Sequence, residues 1–239
     1  MVRILVIQHE DGADARRFGD WLVEAGAELE VLRPDRGDAV PADLDGYDGL
    51  VVLGGSSGPE DDETHPWLPA TRALQRLASE TQAPSFNICL GAQLAAVAHE
   101  TRVFRRSRPQ VGIMEVRRRA EAAEDPVFSV VPERAKAVLW HQEEIAAVPQ
   151  GAVHLMDGTD APVQAFRVGA CSWATQFHPE PDEEIVRLWA EQTSLTTQAG
   201  RQAQEVVEEY LAQADEIEAS FRPVAAAFVE YIRQQPSRR

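Results

Sequence analysis

The stretch Phe86-Asn87-Ile88-Cys89-Leu90-Gly91-Ala92-Gln93 breaks an apolar run on a cysteine that a glycine follows two residues later. The lead-in from Pro84 reads as the end of a buried strand. Gln93-Leu94-Ala95-Ala96-Val97-Ala98 reads as the first turns of a helix. A strand-to-helix elbow of this kind lifts a side chain out of a sheet and points the positive end of a helix at it. It also leaves the next backbone N–H, here that of Leu90, available to an oxyanion. Taken alone, a cysteine between Ile and Leu is more often an inert core residue. The elbow acquires chemical meaning only if partner groups occur elsewhere.

Outward from the elbow, strands and helices alternate. Arg3 to Gln8 is an apolar, β-branched run, and Asp14 is expected to cap a helix with Phe18, Trp21, Leu22 and Ala25 on one face, closed by Gly26. Glu28 to Leu32 and Gly49 to Leu53 read as further strands, the latter without a polar residue and so central. Gly54-Gly55-Ser56-Ser57-Gly58-Pro59 follows, and Pro66-Trp67 opens a helix with Leu68, Thr71, Leu74 and Ala78 on one side. This rhythm predicts an α/β fold with a mostly parallel central sheet, helices on both faces, and a site built from loops at the strand C-terminal ends. After about residue 100 the connections shorten. Val111 to Val116, Ala137 to His141, Val153 to Met156, Val163 to Val168 and Ser172 to Phe177 read as strands, with Asp157-Gly158 and Val168-Gly169 suggesting hairpins. The second half should therefore hold antiparallel strands.

From about Ser194 the pattern becomes helical, with Val207, Tyr210, Leu211, Ala214, Ile217 and Phe221 spaced by three or four residues. The series resumes after Pro223 with Val224, Phe228, Tyr231 and Ile232. Residues 1–193 are read as the catalytic unit and 194–239 as an amphipathic helical extension that packs on it.

Composition narrows the function. In 239 residues with 44% hydrophobic content one sizeable core is possible. No stretch reaches the roughly 20 apolar residues of a membrane span, and the start does not read as a signal peptide, so no membrane association and a cytoplasmic location are expected. Two cysteines, Cys89 and Cys171, exclude a disulfide scaffold and argue against a thiolate metal cluster, so no metal is assigned. A formal charge of −16 argues against nucleic acid as a partner. Lys136 is the only lysine, so no Walker A loop exists, and no cofactor is assigned. Arg102, Arg105, Arg106, Arg108 and Arg117 to Arg119 form a basic cluster, read as a solvated face rather than a docking site.

A cysteine nucleophile needs an imidazole to move its proton and a third group to fix that imidazole. His178 and Glu180, in Phe177-His178-Pro179-Glu180 at the end of an apolar strand, supply both. For His178 alone the plain reading is a turn residue at a strand end, which the triplet His178-Pro179-Glu180 after an apolar strand makes less favoured. The set Ile88-Cys89-Leu90-Gly91-Ala92-Gln93 and Gln176-Phe177-His178-Pro179-Glu180 resembles the class I, triad-type glutamine amidotransferases, with a likeness to the amidotransferase part of GMP synthase. Leu53-Gly54-Gly55, Pro66-Trp67-Leu68 and Trp140-His141-Gln142-Glu143 extend the resemblance over roughly residues 2–190.

The resemblance implies a flavodoxin-like fold and hydrolysis of the side-chain amide of glutamine, or of another γ-glutamyl small molecule. Cys89 would be the nucleophile, His178 the base and acid, and Glu180 its orienter. Gly55 and Leu90 would offer oxyanion N–H groups, and Gln93 and His141 would hold the amino-acid end. It further implies that any ammonia acceptor belongs to a separate synthetase protein. An independent γ-glutamyl hydrolase and a non-catalytic module of the same fold remain as alternatives, and the oligomeric state is left open. The chain departs from the family pattern at Asn87, where glycine is usual and where a larger side chain is expected to reshape the pocket floor.

Overall fold

The computed structural model describes residues 1–235. Its first half is a run of β-α units: β1 (Val2–Ile7), α1 (Arg16–Glu24), β2 (Ala27–Leu32), β3 (Gly49–Val52), α2 (Leu68–Glu80), β4 (Ser85–Ile88) and α3 (Leu90–Ala98). The second half adds β5 (Val103–Arg118), β6 (Arg134–Ile145), β7 (Val153–Gly158), β8 (Ala165–Val168) and β9 (Ser172–Thr175). Helices α4 (Glu183–Gln192), α5 (Ser194–Gln198), α6 (Ala203–Leu211) and α7 (Ala214–Gln234) follow. Among the described residues, nine strands form one sheet in the order β2-β1-β3-β4-β9-β8-β7-β5-β6. The five from β2 to β9 run parallel and the rest pair antiparallel, so the expected mixed architecture is present.

Strand alternation explains why both faces are covered. Successive side chains of a strand point to opposite sides. Ile4, Val6, Val51, Phe86 and Ile88 therefore enter one core with α1 and α7, while Leu5, Ile7, Leu50 and Val52 enter another with α2 and α3. Helix α3 is buried on nearly every side, which accounts for its Ala-rich, charge-free sequence.

The structure departs from the sequence reading of these elements in three places. Asp14 does not cap α1. Ala15 holds the cap position without a side-chain bond, and Asp14 instead accepts a hydrogen bond from Arg16 Nε at 2.7 Å. Strand β5 begins at Val103 rather than Val111, because the arginines of its first half meet acids from β6 and from the loop after β7. Arg105 pairs with Glu143, Arg106 with Glu144 and Asp160, and Arg119 with Asp157. These three arginines of the basic cluster are thus paired with acids, and Arg102, Arg105, Arg108 and Arg117 are exposed, in keeping with a solvated face. Finally, Pro223 interrupts nothing: α7 runs through it, and the break in the helical tail falls at residues 212–213.

The tail joins the main core. Phe228 packs its ring on Phe86 (5.7 Å between centroids) and Trp173 (5.9 Å), and Phe221 on Phe177 (4.8 Å). These partners lie on or just beyond β4 and β9, the two strands that end at Cys89 and His178. Phe228→Ala should accordingly cost about 3–5 kcal/mol, read as a lower denaturant midpoint in equilibrium unfolding. An unchanged midpoint would mean that α7 is a detachable appendage.

Candidate active site

Strands β4 and β9 are adjacent and parallel, with Ile88 opposite Thr175, so the residues just beyond their C-terminal ends face each other. Cys89 sits at the end of β4 with φ 49° and ψ −104°, a conformation rarely adopted by a residue with a Cβ. Its own N–H is held by Thr175 O at 2.8 Å, and its carbonyl accepts from Gln93 N as α3 begins. Backbone strain is thereby fixed from both sides. Cys89 is 4% exposed, and Gln176 Nε2 approaches its sulfur at 3.9 Å.

His178 follows β9 and is anchored by its N–H to Val138 O at 2.8 Å, a single antiparallel bridge to β6. That bridge folds the antiparallel half back onto the parallel half and brings Trp140 and His141 to the cleft. His178 Nδ1 is 2.5 Å from Glu180 Oε1, and both side chains are buried. Burial alone would lower the imidazole pKa. The negative charge of Glu180, that of Cys89 and hydrogen bonds to both outweigh it and raise the pKa well above 6.5. The protonated form of His178 is thereby favoured, with the ring set between a carboxylate and a sulfur.

The N–H groups of Gly55 and Leu90 lie at the same end of the sheet. Leu90 is the first residue of α3 and has no intrahelical acceptor, and among the described residues neither N–H donates to a protein group. Cys89 and Gly55 line two cavities, one of about 320 Å³ and one of about 340 Å³. The larger is walled by Gln93, Arg105, His141, Gln142 and Glu143, the smaller by Glu10, His178, Leu188 and Trp189.

A family model described as glutamine amidotransferase class-I matches residues 18–184. The chain belongs to this family. An aminodeoxychorismate synthase of Streptomyces griseus is 29% identical over 84% of this chain, a match that spans only 27% of that longer protein. A glutamine-hydrolyzing GMP synthase subunit of Thermoplasma volcanium is 31% identical over 67% of this chain and 76% of its own length. The crystal structure of a glutamine amidotransferase from Thermotoga maritima superposes with a TM-score of 0.85, covering 96% of this chain and 98% of that one at 22% identity. That likeness speaks to the fold.

In this candidate site Gln93 and His141 both line the larger cavity. Gln93 Nε2 donates to Glu143 O at 3.0 Å, and His141 Nδ1 lies 2.8 Å from the same carbonyl. Asn87 is a correction. It does not line either cavity but is buried on the α2 side, where Oδ1 accepts from Gln75 Nε2 at 2.8 Å and Nδ2 donates to Trp173 O at 2.8 Å. Its side chain ties β4 to β9 and α2 instead of shaping the pocket floor.

Sequence reasoning missed His9, Glu10 and Trp189. His9 lies just past β1, beneath Gly55, and its Nδ1 accepts from Trp67 Nε1 at 3.1 Å. Its position after the first parallel strand was the available signal, since that is where such sheets place functional loops.

Burial lowers the pKa of His9 to about 4 and that of His141 to about 3. Both are neutral in the fold, whereas in the unfolded chain they take up protons below about pH 6.5. Their contribution is complete above pH 6.5 and is lost as pH falls toward these lowered values, roughly 3 kcal/mol for His9 and up to about 5 for His141. Unfolding free energies measured from pH 7 to pH 4 should fall less steeply for His9→Gln than for the wild type. Equal slopes would show that His9 is protonated in the fold.

Proposed function

We propose that this chain is a cysteine-dependent hydrolase of γ-glutamyl carboxamides, with glutamine as the simplest substrate and ammonia and glutamate as its products. The observation that carries this reading is the buried His178–Glu180 pair, 2.5 Å apart, set against Cys89 on a positive-φ elbow. In this mechanism the Cys89 thiolate attacks the amide carbon while N–H groups of Gly55 and Leu90 receive the developing oxyanion. Each such donor is worth on the order of 3 kcal/mol in comparable sites. His178 passes its proton to the departing nitrogen, leaving a γ-glutamyl thioester. Water then attacks, with His178 as base, and glutamate leaves. Glu180 fixes the imidazole tautomer throughout.

The likeness to one component of a GMP synthase supports transfer of the ammonia to a separate synthetase. A second reading, release of a larger amine from another γ-glutamyl compound, is favoured by the volume on the His178 side of Cys89.

The proposal is tested through the pH profile of glutamate release. Activity requires protonated His178, so the alkaline limb of kcat/KM should lie well above pH 6.5, in keeping with the raised pKa. Glu180→Gln removes the charge that holds the proton there and should shift that limb toward acid by at least about one unit. An alkaline limb that stays in place would remove Glu180 from the mechanism.

A further inference from the structure

We infer that the substrate carries a substituent on its amide nitrogen: an amine with an apolar stem and a distal positive charge, released as the first product. The inference rests on the thioester reading of Cys89 and adds the identity of the leaving group.

Cys89 lines both cavities, so an amide carbon at its sulfur has one lobe on each side. The lobe with Gln93 and His141 carries Arg105 and Glu143, joined at 2.5 Å, one cation and one anion to match the carboxylate and ammonium of a glutamyl head. His178 lines the opposite lobe and not this one. The proton that frees the leaving nitrogen comes from His178, so that nitrogen and anything attached to it must face the His178 lobe.

Ammonia is about the size of water, for which roughly 10–15 Å³ of such space suffices. The lobe measures about 320 Å³, within the range of small-molecule sites. Its walls combine apolar side chains, among them Trp140, Leu188, Trp189 and Leu195, with polar ones such as Glu10 and Thr193. Trp189 lies 4.9 Å from His178 and 5.6 Å from Trp140 between ring centroids, and its Nε1 donates to Gly12 O at 2.9 Å. Leu188 continues this surface. Glu10 supplies the charge. Its carboxylate accepts from Ser56 Oγ at 2.6 Å and has no arginine or lysine partner among the described residues, whereas neighbouring Asp11 is held by Arg33 and Arg36. An ammonium beside two indoles and a carboxylate gains from both.

The step balances without a further reagent. The sulfur–carbon bond forms, the carbon–nitrogen bond breaks, and the amine leaves with the proton from His178. Water then hydrolyses the thioester, and its proton returns to His178.

The test compares kcat/KM for glutamate release from three compounds: glutamine, the γ-glutamyl amide of n-pentylamine, and the γ-glutamyl monoamide of cadaverine. The cadaverine amide should exceed the pentylamine amide by about tenfold and glutamine by more, and Glu10→Gln should bring the ratio of the two amides close to one. Equal or better turnover of glutamine, or a ratio that Glu10→Gln leaves unchanged, overturns the inference. Should Glu10→Gln fail to fold, the wild-type ranking decides alone. Glutamine as the sole substrate, lost in Cys89→Ala, defeats the leaving-group inference and leaves the thioester reading intact. Turnover of any compound by Cys89→Ala, or of none by the wild type, defeats both.

Discussion

Replacement of Cys89 by alanine should reduce glutamate release by a factor on the order of 10³ or more, to the rate of the protein-free reaction plus whatever the N–H groups and binding supply. The loss should appear in kcat, because a missing nucleophile removes the covalent route whatever the substrate affinity. Folding should survive. Alanine meets the same backbone demand at φ 49° as cysteine does, and it is smaller than the side chain it replaces, so nothing is overpacked. Thermal unfolding of the variant should therefore match the wild type within a few degrees. An alanine variant that keeps its rate would end the covalent mechanism, and a variant that unfolds would require the comparison to be repeated with serine.

Gly91→Ala should be the most damaging single-methyl change in the chain. Gly91 sits in the first turn of the elbow helix, and its Cα faces the backbone of β3. An added Cβ would collide with the Val52 carbonyl oxygen, lie 2.9 Å from the carbonyl carbon, and come within 3.2 Å of Leu53 O. These are backbone atoms and cannot rotate aside. The same close approach lets Gly91 N donate to Leu53 O at 3.1 Å, so separating α3 from β3 would break this bond as well. Overpacking of this kind costs about 3 kcal/mol or more when the neighbours cannot yield. The expected result is a lowered denaturant midpoint together with lost activity, since Leu53-Gly54-Gly55 would move with β3. Full stability in Gly91→Ala would show that the helix and strand are less tightly docked than these distances require.

Much of the site was legible from local pattern. Parallel strands separated by helices declare themselves by short, fully buried segments, and Cys89 and His178 each follow one, Ser85–Ile88 and Ser172–Thr175. What pattern could not reveal were features set by partners far along the chain. The start of β5 is rich in arginine and does not look like a strand, because the carboxylates that neutralise Arg105 and Arg106 are supplied by residues 143, 144 and 160. Pro223 looks like a helix end, yet Phe221, Val224 and Phe228 keep a spacing of three and four across it and are all buried in one core, so packing sustains the helix. His9 and Glu10 carry no motif of their own. Their place in the site comes from the parallel sheet, which sets the end of β1 beside the end of β3.

The single antiparallel bridge between Val138 and His178 has a practical consequence when combined with the scarcity of lysine. Lys136 lies on β6 two residues before Val138, on the strand that carries Trp140 to the cleft. Since no other lysine side chain exists in the sequence, an amine-reactive fluorophore would find one side-chain address on this protein. That address lies close to where the two halves of the sheet meet. A label there would sit beside that junction without any engineered cysteine to compete with Cys89.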